Sequence, residues 1–250
     1  MSDIKQYRES DAEKARTADL VRLLPRGRRS VLDIGARDGH FSQILTEYFD
    51  EVTALDLERP DFSFQRVTRV AGDATRLQFS DNSFDCVFCA EVLEHIPNVV
   101  QACREIGRVA RHEVIIGVPY KQDTRLGRTT CRSCGRKNPP WGHVNRFDER
   151  RLARLFPGLS IGASSFVGSV RSETNPVSTM LMDMAGNPWG TYEQDEPCIY
   201  CGVKLISPAQ RSILSKVCSG LAVRINRVQS LFAQAHGNWL HMFFSKDGHP

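Results

Sequence analysis

Between Ser30 and Val118, short apolar runs alternate with segments of helical periodicity, and this alternation leaves few folds open. Residues 30–34, 52–56, 66–71, 84–90 and 113–118 read as five strands, and 39–49 and 98–110 as helices. Strands that alternate with helices predict a mostly parallel sheet with helices on both faces. The crossovers should be right-handed.

The flanks are less regular. Residues 10–24 read as an amphipathic helix with Ala15, Ala18, Leu20, Leu23 and Leu24 towards one side, ended by Pro25-Arg26-Gly27. Residues 120–146 are rich in Arg, Gly, Pro and Cys and read as an ordered insertion. A helix near 148–156, N-capped by Asp148, and a strand at 161–170 follow. Residues 171–207 read as irregular, with Asn-Pro twice. A long helix is expected over 209–235, where Ile213, Val217, Leu221, Ile225, Val228 and Phe232 recur at helical spacing. Its cations are Arg211, Lys216, Arg224 and Arg227. It reads as a core-packing helix with a solvated face, or as a membrane-surface or dimer contact. Residues 238–246 read as a final strand. The expected organisation is a helical segment at 1–29, a core at 30–170 with an insertion at about 120–146, an irregular segment plus long helix at 171–237, and a closing core strand at 238–250.

The chain has 250 residues, 41% hydrophobic and 25% charged, which suits one α/β domain with insertions. A net charge of +4 without a basic run argues against nucleic acid as a partner. No apolar run reaches the roughly 18 residues of a membrane span. The polar N-terminus has no signal-peptide core, so a cytoplasmic location is expected. In a reducing compartment, eight cysteines point to metal binding or burial.

Val31-Leu32-Asp33-Ile34-Gly35-Ala36-Arg37-Asp38-Gly39 carries an apolar strand through a glycine-containing turn into a helix. Such a turn lets backbone approach a ligand, and the helix N-terminus adds a positive dipole end. Asp56 ends the second strand, where a carboxylate can accept from both hydroxyls of a ribose. Gly72-Asp73-Ala74 ends the third, where Asp73 can accept from an adenine amino group. Acidic or glycine features at successive strand ends fit ligand binding at the carboxyl edge of an open sheet. The G-x-G-x-x-G fingerprint of NAD sites is absent.

VLDIGARDG, VTALD and AGDATRLQFSDNSFDCVFCAEVLEHI together resemble the class I S-adenosylmethionine (SAM)-dependent methyltransferases of the type 11 group. The resemblance spans residues 30–120 and continues more weakly over 143–170 and 238–246. It implies that Asp33, Gly35 and Gly39 shape the methionine side of a SAM site, with Asp56 on the ribose and Asp73 and Ala74 beside adenine. It implies a doubly wound, seven-stranded Rossmann-like sheet of order 3-2-1-4-5-7-6 with an antiparallel seventh strand. Arg37 stands where the family often has Gly, and either lines the site or points to water.

Cys131-Arg132-Ser133-Cys134-Gly135 and Cys198-Ile199-Tyr200-Cys201-Gly202 are near copies. Each pair sets two thiolates on one turn. The four ligands Cys131, Cys134, Cys198 and Cys201 suit one structural Zn²⁺ stapling the irregular segments together. Free thiols or a redox pair are the alternatives. Cys86 and Cys89 lie within a strand at odd separation, on opposite faces, and read as core with Cys103 and Cys218.

Glu91, Glu94 and His95 follow the fourth strand at spacing that one helical turn brings to one side. They either hold a divalent cation such as Mg²⁺ or orient His95 as general base. His143 lies past the fifth strand, at the same carboxyl edge, or beside the zinc. This E-x-x-E-H with a distant His resembles the small-RNA 2′-O-methyltransferases and the ubiquinone-pathway O-methyltransferases, which implies a metal held by Glu91, Glu94, His95 and His143. Trp141, Trp189, Tyr192 and Tyr200 either line an acceptor pocket or pack around the zinc. The sequence thus points to a SAM-dependent O-methyltransferase with a small-molecule or sugar acceptor. The rival readings are a zinc-stapled RNA- or protein-binding module with a degenerate cofactor site, and an RNA methyltransferase. The oligomeric state is not legible.

Overall fold

The computed structural model describes residues 8–171, 173–194 and 196–246. The expected segments 1–29 and 238–250 therefore extend into residues that lie outside the described ones. The chain divides into two compact units. The first comprises Met1–Tyr120, Phe147–Gly168 and Gly237–Pro250, and the second Lys121–Arg146 and Ser169–His236.

The first unit contains α1 (Asp11–Arg22), β1 (Ser30–Ile34), α2 (His40–Leu45), β2 (Glu51–Asp56), β3 (Val67–Ala71), β4 (Phe84–Ala90), α3 (Val99–Val109) and β5 (Ala110–Pro119). After the excursion into the second unit come α4 (Glu149–Leu155), β8 (Ser160–Val167) and β9 (Trp239–Ser245). The second unit holds the hairpin β6 (Thr129–Thr130) and β7 (Lys137–Asn138), then α5 (Pro176–Met184) and α6 (Ile213–Phe232).

The seven-stranded sheet runs β3-β2-β1-β4-β5-β9-β8. Pairings from β3 to β5 are parallel, and β9 is antiparallel to both β5 and β8. The hairpin strands β6 and β7, which the sequence does not announce, shift the numbering by two. Without them the order is 3-2-1-4-5-7-6.

The central strands are apolar on both faces because helices cover both. On one face Leu32, Val87, Cys89, Val114 and Ile116 pack with Cys103 and Ile106 of α3 and Leu152 of α4. On the other, Val31, Cys86, Phe88 and Ile115 pack with Leu20 of α1 and Leu45 of α2. Cys86 and Cys89 thus lie on opposite faces, as their odd separation requires. Removing a side chain such as Leu32 from such a core costs about 2–5 kcal/mol.

Caps set the helix starts. Ser10, Asn98 and Asp148 each accept from a backbone N–H three residues on, opening α1, α3 and α4. Helix α2 is shorter than the expected 39–49, ending at Leu45 before a run of turns.

The second unit departs twice from expectation. Helix α5 lies inside the stretch read as irregular, started by an Asn175–Ser178 capping box with Pro176 in its first turn. In α6 the apolar periodicity does not mark the packed side. Ile213, Val217, Leu221, Val228 and Phe232 are exposed, and Ser215, Cys218, Ser219 and Ala222 are buried. Small residues let α5 and α6 approach closely, tied by Ser215 Oγ donating to the Ala185 carbonyl at 2.8 Å and Asn175 Nδ2 to Gln229 Oε1 at 2.6 Å. No described helix is long and apolar enough to cross a membrane.

Candidate active site

The turn after β1 is built on two glycines in the left-handed region, Gly35 at φ +80° and Gly39 at +79°. A Cβ on Gly35 would lie 2.2 Å from Val92 Cγ2, and one on Gly39 2.7 Å from the rings of Phe62 and Phe64. The Gly35 and Ala36 amides donate to the Leu55 carbonyl at 2.8 and 3.1 Å, bracing the turn against β2. Arg37 takes φ +42°, a conformation that costs a non-glycine residue about 1–2 kcal/mol.

Asp33 is buried at the end of β1 and accepts from Ser42 Oγ at 2.5 Å. Loss of water pushes its carboxyl up to about 7, and Ser42 offsets only part of that. Asp56, the last residue of β2, accepts from the Arg37 amide at 2.9 Å through Oδ2 and from the Leu57 amide at 2.7 Å through Oδ1. Each oxygen keeps acceptor capacity beyond these. Asp73, exposed past β3, holds Thr75 through Oδ1 at 2.7 Å from its amide and 2.8 Å from its hydroxyl. Its Oδ2 has no protein partner among the described residues, and the neighbouring Ala74 is buried. The adjacent parallel pairings of β1, β2 and β3 bring these acidic strand ends to one edge of the sheet.

Glu91 leaves β4 at φ +58°, its amide donating to the Gly117 carbonyl at 2.9 Å. Its Oε2 accepts from Trp239 Nε1 at 3.3 Å, and Arg16 Nη1 stands 4.0 Å from Oε1. Glu94 is completely buried, and neither carboxylate oxygen has a partner among the described residues. Burial first, and then the Glu91 charge, push the Glu94 carboxyl well above its usual range. His95, partly buried, follows in the same turn, its amide donating to the Val92 carbonyl at 3.0 Å. His143 belongs to the second unit, where Nδ1 shares a 2.6 Å hydrogen bond with Gln122 Oε1 and its ring packs on Trp141.

Sequence reasoning missed the contribution of α1. Arg16 is buried between the rings of Phe41 and Trp239 and donates to both Glu13 oxygens at 2.8 and 2.6 Å. Burial alone would raise the Glu13 carboxyl, but Arg16 and Arg8 outweigh it and hold it low. Arg8 also reaches Asp38 in the glycine turn at 3.0 Å. The one available signal was an opposite-charge pair at i,i+3 on a helix that also carries buried Leu20.

In the second unit the four cysteine sulfurs converge. All lie within 4.8 Å of one another, with Cys131 to Cys201 and Cys134 to Cys198 both at 3.7 Å. Sulfurs at the corners of a zinc tetrahedron, each about 2.3 Å from the metal, stand roughly 3.8 Å apart. The two turns are copies in three dimensions. The Gly135 amide donates to the Cys131 carbonyl at 2.9 Å and the Gly202 amide to the Cys198 carbonyl at 2.8 Å, both glycines at φ +70°. Burial would push the Cys198 thiol up, but N–H groups of Tyr200, Cys201 and Asn138 bring it down to about 6. Tyr192 packs with Cys131, Cys198 and Leu205, while Trp141, Trp189 and Tyr200 are exposed. His143 is not part of this cysteine cluster.

Comparison with known proteins bears on the first unit. Residues 32–117 match the Methyltransf_11 family model, a methyltransferase domain. The demethylmenaquinone methyltransferase of Roseiflexus castenholzii is 32% identical over 105 residues, which cover 38% of this chain and 44% of that protein. The chain thus spans less than half the length of that curated relative. Two solved structures share the fold. An SAM-dependent methyltransferase from Mesorhizobium loti has a TM-score of 0.52 at 13% identity, covering 92% of this chain and 97% of that one. The [4+2]-cyclase SpnF has a TM-score of 0.55 at 16% identity, covering 95% and 84%. At such identities the likeness is one of fold.

Proposed function

We propose that this chain is a SAM-dependent methyltransferase that methylates an oxygen of a small-molecule or sugar-type acceptor. The observation that carries the reading is the pair of carboxylates, Asp56 and Asp73, with acceptor capacity to spare beside the Gly35–Gly39 turn, within the segment that matches a methyltransferase domain. SAM, when bound, supplies a methyl group activated by a sulfonium. Asp56 accepts from the ribose hydroxyls, Asp73 and Ala74 border the adenine, and Asp33 with Gly35 and Gly39 shape the methionine end. The curated relative is named for demethylmenaquinone, which supports a small-molecule acceptor.

Glu91, Glu94 and His95 serve the acceptor. Two unpartnered oxygens on a fully buried carboxylate fit either a protonated acid or a ligand to a divalent ion such as Mg²⁺. An ion there would lower the pKa of an acceptor hydroxyl. Without one, His95 takes the proton, worth about 10²–10⁴-fold in rate. Cys131, Cys134, Cys198 and Cys201 hold one structural Zn²⁺. The four-thiolate set leaves no open position for catalysis.

Calorimetric titration with SAM and with its demethylated product, followed by transfer of labelled methyl groups from SAM to pooled small-molecule acceptors, tests the reading. Absence of binding to either nucleoside would leave a zinc-stapled binding module as the better description.

A further inference from the structure

The outer face of α6 has no partner among the described residues. Ile213, Val217, Leu221, Val228, Leu231 and Phe232 are all exposed, Ile213 at 83% and Phe232 at 84%. At about 100° per residue they fall within an arc roughly 100° wide. The helix has 20 residues, so the stripe runs about 30 Å. The opposite side, with Ser215, Cys218, Ser219 and Ala222, is the packed one. Three large apolar residues of α5, Val177, Met180 and Met184, are exposed as well.

The charge on α6 and on the chain leading into it has one sign. From Pro197 to Lys246 the sequence contains no Asp or Glu, while Lys204, Arg211, Lys216, Arg224 and Arg227 precede or lie on α6. Lys216 and Arg227 both border the apolar arc along one edge. Arg224 falls within it, and its long stem lets the guanidinium reach past the apolar layer to a polar one. A second copy of the helix would set these cations against themselves. A nucleic acid would reward the cations but not a row of Ile, Leu, Val and Phe. A headgroup layer with anionic lipids rewards both, apolar side chains entering the acyl boundary and cations meeting phosphates.

We propose that the outer face of α6 is a docking surface for an anionic lipid membrane, along which the helix lies without crossing it. The chain would then be held at a membrane surface through its second unit.

Co-sedimentation of the full chain with vesicles tests this. Vesicles of phosphatidylcholine mixed with phosphatidylglycerol should pellet the protein, pure phosphatidylcholine should pellet far less, and added salt should release it. The double variant V217E/L221E should abolish pelleting, and K216E/R227E should weaken it by at least about tenfold, since each cation near an anionic surface contributes about 1 kcal/mol. Unchanged zinc content and melting behaviour show that the variants fold. If they do not fold, the lipid and salt series on the unaltered chain decides alone. Absence of pelleting with anionic vesicles, equal pelleting on neutral ones, or pelleting indifferent to V217E/L221E in a folded variant overturns the proposal. So does light scattering that shows a dimer dissolved by V217E/L221E without vesicle binding, which would assign the face to a second copy.

Discussion

The Arg37 amide donates to Asp56 Oδ2 across 2.9 Å, tying the turn after β1 to the last residue of β2. The bond is made with Arg37 at φ +42°, so the turn holds a strained residue in order to present that amide. Asp56 therefore has two tasks in the proposed site, fixing the turn and offering its remaining lone pairs to a ribose.

Substituting Asp56→Ala should lower SAM affinity roughly tenfold to a hundredfold, the effect of losing about 1.5–3 kcal/mol of charge-assisted hydrogen bonding. Arg37→Gly keeps the amide and relieves the strain, so SAM affinity should stay close to that of the unaltered chain. Calorimetric titration of both variants checks this, and undiminished binding by Asp56→Ala would falsify the ribose assignment.

Gly35 is where the turn touches the segment after β4. A methyl group there meets Val92 Cγ2 at 2.2 Å, and φ +80° is unfavourable for alanine in any case. Gly35→Ala should lower stability by roughly 1–3 kcal/mol. Adding Val92→Ala removes the clash but not the backbone strain, so the double variant should be more stable than the sum of the single effects predicts. Denaturant unfolding of the four proteins gives the coupling directly, and strict additivity would mean that the two positions do not meet.

The core of the fold was legible because strands buried on both faces write continuous apolar runs, as Cys86–Ala90 does within β4. The start of α4 was legible from Asp148, whose side chain accepts from the Arg151 amide as an N-cap. Helix α6 was misread for a physical reason. Apolar periodicity reports which residues share a face, not whether that face is packed, and Ser215, Ser219 and Ala222 pack closely because they are small. Helix α5 was hidden because Pro176 in its first turn resembles a breaker. At the candidate site, the duplicated Cys-x-x-Cys-Gly turns announced a convergence that the sulfurs then make. Arg16 and Trp239 gave no comparable signal, since 223 residues separate them in sequence and only the fold brings guanidinium and ring to 5.9 Å.

The four-cysteine cluster should bind close to one zinc per chain. Cys198→Ser should reduce zinc content and thermal stability together, because metal binding free energy is then part of folding free energy. A metal held there would join two segments whose facing cysteines, Cys131 with Cys201 and Cys134 with Cys198, are 70 and 64 residues apart in sequence, so a strong chelator should expose both segments to protease at once. Elemental analysis and limited proteolysis measure these effects, and stoichiometric disulfides in metal-free protein would contradict them.

Asp33 should make stability fall as pH rises from about 4 to about 7. Its folded-state pKa is raised to about 7 from 3.8, so in that window the folded state binds a proton that the unfolded state has released. The contribution is fully present below the unfolded value and is lost as pH climbs through the folded one. Asp33→Asn carries no such proton, and its carbonyl still accepts from Ser42. The variant should therefore show a flatter pH profile and gain stability relative to the parent at pH 8. Thermal melts from pH 4 to pH 8 test this, and parallel profiles would place the titration elsewhere.

Glu94 decides between the two chemistries open at the acceptor side. Both of its oxygens are buried without partners among the described residues, so in the metal-free chain an ionised Glu94 is destabilising and the neutral acid is favoured. Glu94→Gln should then raise the melting temperature above pH 7 after dialysis against EDTA. If the carboxylate is a ligand, adding Mg²⁺ or Mn²⁺ should stabilise the parent and leave the variant unmoved, reversing their order. The metal reading predicts that reversal, together with methyl transfer that EDTA abolishes and the metal restores. The base reading predicts no response to metal, retained turnover after chelation, and loss of turnover in His95→Ala. If alanine at His95 and at His143 each leaves turnover intact, neither reading stands, and the rate must come from holding acceptor and methyl group in line.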